Sequence, residues 1–122
     1  MATYDPLTPG TLVNDRYEIE ILLGAGGIGR TYRVKDCQKF GDLYTLKEFA
    51  PRIASYKTET IVKAKELFER EAKILNQLNH PQIPKFHGYF SEDDRIFLVQ
   101  DYIQGVGAFH LGDEYKYSFD LG

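Results

Sequence analysis

The segment Leu22-Leu23-Gly24-Ala25-Gly26-Gly27-Ile28-Gly29-Arg30-Thr31-Tyr32 constrains this chain more than any other. It sets a glycine cluster between two apolar stretches, Ile19, Ile21, Leu22 and Leu23 before it and Thr31, Tyr32, Arg33 and Val34 after it. Glycines at 24, 26 and 29 let a backbone turn tightly and bring its amide groups against a phosphate. The G-x-G-x-x-G spacing alone is a weak signal. In a dinucleotide-binding unit a helix begins inside the glycines. Here β-branched and aromatic residues follow, and these favour a second strand. The expectation is a hairpin of strand, glycine loop and strand.

The rest of the chain fits one small domain. Its 122 residues are 43% hydrophobic and 14% aromatic, enough for a modest core and against global disorder. A net charge of −3 with no basic block argues against a nucleic-acid partner. No apolar run approaches the roughly 20 residues that span a bilayer, so no membrane partner is expected. The first residues lack the basic-then-apolar order of a secretory signal, and the expected location is cytoplasmic. The one cysteine, Cys37, cannot form an internal disulfide and sits in a polar turn.

Residues 1–16, with Pro6, Pro9 and Gly10, read as a lead-in. Tyr17, Ile19 and Ile21 alternate with Glu18 and Glu20, the pattern of a half-buried strand. Asp36 to Lys39, with Gly41-Asp42, reads as a turn, and Leu43–Phe49 as a third strand stopped by Pro51. Thr58–Leu78 carries helical spacing and ends before His80-Pro81, since the residue before proline avoids helical geometry. Two more strands are expected near 85–90 and 95–102, joined by a turn at Ser91-Glu92-Asp93-Asp94.

Two charges fall where apolar residues are expected. At about 100° per residue, Ala64, Leu67, Phe68, Ile74, Leu75 and Leu78 form one stripe on the helix, and Glu71 lies at its centre. Lys47 stands late in a mostly apolar strand, on one side with Thr45 and Phe49. An unpaired buried carboxylate costs several kcal/mol, roughly, so a buried Glu71 needs a partner. Either the two charges pair across a cleft, or Glu71 runs along the helix surface while Lys47 reaches solvent at the sheet edge. The glycine loop favours the pair.

These segments, in this order, resemble the N-terminal lobe of a bacterial eukaryotic-like serine/threonine protein kinase, over about Tyr17 to Gly105. The resemblance implies an α+β fold, a five-stranded antiparallel sheet with one main helix. It implies ATP as ligand, with the glycine loop over the phosphates through Gly24, Gly26, Gly27 and Gly29. The lysine of Tyr44-Thr45-Leu46-Lys47 would hold the α- and β-phosphates, and the glutamate of Arg70-Glu71-Ala72-Lys73 would orient it. His80-Pro81-Gln82-Ile83 is similar to the family's turn after that helix. Phe97-Leu98-Val99-Gln100-Asp101-Tyr102-Ile103 is similar to its last strand and hinge. This puts Gln100 at the gatekeeper position and turns the Asp101 carbonyl and Ile103 amide toward the adenine edge.

The sequence departs from the family's pattern at three positions. Ile28 replaces the usual aromatic at the loop tip, and Thr31 and Thr45 replace the valine and alanine that sandwich adenine. Two hydroxyls make that pocket more polar. No His-Arg-Asp or Ala-Pro-Glu motif is present, so this stretch alone is not expected to transfer a phosphoryl group. In residues 106–122, Tyr115, Tyr117, Phe119 and Leu121 alternate with polar residues, the pattern of a C-terminal hairpin. Its last residues, Asp120-Leu121-Gly122, resemble the family's Asp-Phe-Gly, which would make Asp120 a magnesium ligand. The plain alternative is an edge strand matching by chance. A non-catalytic interaction module, self-associating or binding a protein through exposed lobe surface or the tail strand, is the rival function.

Overall fold

The computed structural model describes residues 5–26, 29–50, 58–93 and 95–103. Six strands and one helix follow one another: β1 (Leu12–Val13), β2 (Tyr17–Ala25), β3 (Gly29–Asp36), β4 (Asp42–Phe49), α1 (Thr58–Gln77), β5 (Phe86–Glu92) and β6 (Arg95–Asp101). They form one sheet in the order β1-β2-β3-β4-β6-β5, and every neighbouring pair is antiparallel. The five expected strands are all present. The sixth, β1, comes out of the lead-in, where Val13 pairs with Tyr17 and is buried. The expected C-terminal hairpin lies outside the described residues.

The sheet carries a core on each face. On one, Tyr17, Ile19, Tyr32, Val34, Tyr44, Leu46, Phe97 and Val99 join Val13, with Leu7 packed against them. On the other, Phe49 and Leu98 meet Phe68, Ala72 and Leu75 of α1. The strands curl: the Tyr17 ring of β2 stacks on Phe90 of β5, centroids 6.0 Å apart, although three strands separate them in the sheet. Two bulges in β2, between Ile19 and Ile21 and between Leu22 and Gly24, supply part of the bend. The first also breaks the expected alternation. It advances the phase by one residue, so Ile21 leaves the face of Tyr17 and Ile19 and is 46% exposed.

The hairpin from β3 to β4 turns through a short 3₁₀ segment, Cys37–Lys39, capped by the Asp36 carboxylate, which accepts from the Gln38 amide. The same carboxylate takes two hydrogen bonds from the Arg16 guanidinium, at 2.9 and 2.8 Å; burial pushes it up, but these bonds and the Gln38 amide together hold it below the usual carboxylate range. The turn between β5 and β6 is tighter than expected, because Ser91 and Glu92 continue the strand. Among the described residues no helix is long and apolar enough to cross a membrane.

On α1 the stripe is buried along one flank only. Phe68, Ala72 and Leu75 face the sheet, whereas Leu67, Ile74 and Leu78, expected in the same stripe, are about half exposed. A single sheet covers only one side of so wide a stripe. Glu71 therefore sits at the edge of the buried arc, between a covered flank and an open one.

Candidate nucleotide site

The site begins where the glycine hairpin returns to the sheet. Gly24 pairs with Thr31 and Ala25 with Arg30, and the Gly26 amide donates to the Gly29 carbonyl at 2.8 Å, closing the turn. Gly27 and Ile28 lie outside the described residues. Beyond the turn, register brings side chains onto one face: Thr31 of β3 opposite Lys47 of β4, and Lys47 opposite Leu98 of β6. One step along, Thr45 opposes Gln100. Thr31, Thr45, Lys47 and Gln100 are all buried on this face, the one that α1 covers.

Lys47 and Glu71 meet there. The Lys47 ammonium lies 3.7 Å from Glu71 Oε2, with side-chain exposures of 1% and 10%. The reading in which Lys47 reaches solvent at the sheet edge does not hold, since β3 and β6 flank β4 on both sides. Burial pushes the ammonium down to about 7, and Glu71 pulls in the opposite direction without reversing it. Lys47 is thus a dehydrated amine held beside a carboxylate on the face that α1 covers.

Beside this pair the sheet face is polar. The Thr31 hydroxyl is buried and has no hydrogen-bond partner among the described residues. Gln100 donates from Nε2 to the Pro84 carbonyl at 3.1 Å, tying β6 to the turn after α1. His80 supports that same turn, Nδ1 accepting from the Gln82 amide. At the end of β6, the Asp101 amide donates to the Lys85 carbonyl at 2.9 Å, and its carboxylate meets His87 Nε2 at 2.5 Å. Ile103 is exposed at the end of the described chain, and Arg33 of β3 lies over the Tyr102 ring, 5.6 Å from its centroid.

Asp120 lies outside the described residues, and among those described no cluster of three metal-ligating side chains occurs. One charged residue near the site escaped the sequence reading. Glu48, next to Lys47 but on the opposite face, is fully buried and accepts from Arg30, Tyr32 and Arg95. The signal was the one that marked Glu71, a carboxylate among apolar neighbours on its own face.

Comparison with known proteins agrees with this fold. Residues 17–119 match the family model described as the protein kinase domain. Serine/threonine-protein kinase D of Synechocystis sp. is 46% identical over 97 residues, which cover 77% of this chain and 19% of that protein. A probable serine/threonine-protein kinase of Bacillus subtilis, YbdM, is 36% identical over 100 residues, 82% of this chain and 37% of its own. Among solved structures, PpkA-294 in its apo form shares the fold with a TM-score of 0.72 at 22% identity, over 84% of this chain and 41% of the other. The chain belongs to the protein kinase family and is the N-terminal portion of a serine/threonine kinase domain.

Proposed function

We propose that residues 17–105 bind ATP as the nucleotide lobe of a serine/threonine kinase, and that transfer of the phosphoryl group is completed by catalytic residues outside this lobe. The observation that carries the reading is the buried Lys47 ammonium, 3.7 Å from Glu71 and on the same sheet face as the residues entering from the glycine loop. Lys47 holds the α- and β-phosphates, and Glu71 keeps its ammonium pointed at them. Amides of Gly24, Gly26, Gly27 and Gly29 cover the phosphates. Thr31 and Thr45 line the base pocket, Gln100 closes its back, and the Asp101 carbonyl and Ile103 amide meet the adenine edge. Magnesium would supply charge neutralisation on the phosphates when bound, and Asp120 is its proposed ligand here. A cytoplasmic location, where ATP is made and used, belongs to the same proposal.

The open flank of α1, with Leu67, Ile74 and Leu78, favours a second reading in which this lobe serves as a protein-interaction module. Calorimetric titration of the full-length protein with ATP and magnesium, beside Lys47→Ala, separates the two. Saturable binding lost in Lys47→Ala is the expected result. A concentration-dependent mass with no heat up to millimolar nucleotide would transfer the assignment to the interaction module.

A further inference from the structure

Glu48 is a fully buried carboxylate that the nucleotide chemistry does not use. Its Oε1 accepts from Arg30 Nη1 at 3.2 Å and from the Tyr32 hydroxyl at 3.0 Å, and its Oε2 accepts from Arg95 Nη1 at 2.6 Å. Three strands thus converge on one side chain, β3 through Arg30 and Tyr32, β4 through Glu48 itself, and β6 through Arg95. A buried charge satisfied this fully is geometrically demanding, because each donor removed leaves part of it uncompensated.

The donors are placed pointedly. Arg30 follows Gly29 directly, and the Gly29 carbonyl is the acceptor that closes the glycine turn. Arg30 is also the register partner of both Ala25, where the outgoing arm leaves the sheet, and Glu48. The Arg30–Glu48 bond is therefore a strut from the base of the flap to the residue beside Lys47, on the face opposite the phosphate site. The other two donors extend the strut backwards along the chain. Tyr32 accepts from the Leu7 amide at 3.0 Å, and Arg95 Nη2 donates to the Asp5 carbonyl at 2.9 Å.

We propose that Glu48 is a positioning residue for nucleotide binding, fixing through Arg30 the base of the glycine turn, where Gly26 and Gly29 close it. Through Arg95 and Tyr32 the same carboxylate straps the segment Asp5–Leu7 to the back of the sheet. The proposal rests on the nucleotide-lobe reading for its consequence, but the strut itself does not.

The test uses the full-length protein with Arg30→Gln, which leaves Tyr32 and Arg95 on the carboxylate, and Glu48→Gln beside it. Without nucleotide, hydrogen exchange at the Gly26 amide is expected to speed up by about tenfold in both variants, with Leu98 and Val99 in β6 unchanged. With nucleotide, the KM for ATP is expected to rise by about tenfold while kcat and the KM for the protein substrate stay near the parent values. Arg30→Gln should add little in the Glu48→Gln background. Unchanged Gly26 exchange, or equal acceleration across the whole sheet, overturns the strut and leaves Glu48 a fold-holding residue only. Faster Gly26 exchange in a protein whose parent form binds no ATP upholds the strut and overturns the nucleotide reading instead.

Discussion

Lys47 illustrates how a side chain can be costly to the fold and useful to the site for the same reason. Taken out of water, with Glu71 3.7 Å away, its ammonium loses protons far more readily than an exposed lysine does. In the unfolded chain it titrates near 10.5 and in the folded one near 7. Between those values the unfolded state binds more protons, so this group makes stability rise with pH across that window, and its full penalty is present below it. Denaturant midpoints of the parent and Lys47→Met at several pH values should show the parent gaining on the variant from about pH 7 to 10. Parallel curves would mean that Lys47 is not desolvated as described. A bound triphosphate, by favouring the ammonium, should move that window upward.

At the scale of elements, what was legible in the sequence depended on how local the cause was. The β2–β3 hairpin, α1 and the lysine-bearing strand follow from alternation, helical spacing and proline positions, all short-range signals. Lys47 and Glu71 were legible because each interrupts an apolar pattern. Glu48 breaks a pattern equally, but its partners Arg30 and Arg95 lie in other strands, and only the register brings them together. The bulge at Glu20 that turns Ile21 outward, and the pairing of Leu12–Val13 beyond a proline- and glycine-rich stretch, are likewise decided by the assembled sheet. The β3–β4 connection holds a strain that the sequence did not signal. Phe40 adopts φ 56° with its ring fully in solvent, a left-handed conformation that a bulky side chain resists. Phe40→Asn, which tolerates that geometry and removes exposed apolar surface, should stabilise the protein by about 1 kcal/mol in a denaturant titration. A loss of stability would show that the Phe40 ring is covered in the full-length protein.

At the scale of the whole molecule, one side of α1 carries apolar residues that the described residues leave exposed. Leu67, Ile74 and Leu78 form an apolar flank beside Glu71, and the chain covers only 19% of the Synechocystis relative. If the remainder of the kinase domain covers that flank, Ile74→Asn in the full-length protein should cost about 2 kcal/mol, against about 0.5 for an exposed site. A cost within the smaller figure, read by denaturant titration, would mean the flank stays open. The back of the sheet raises a question of timing. Arg95 reaches the Asp5 carbonyl across 90 positions, and Glu92 accepts from the Asn14 amide across 78. A ribosome making this chain releases Asp5 and Asn14 long before Arg95 and Glu92 exist. β1 can pair with β2 at once, but the ties of Asp5 and Asn14 to Arg95 and Glu92 wait until β5 and β6 emerge, so the lead-in is fixed in two stages.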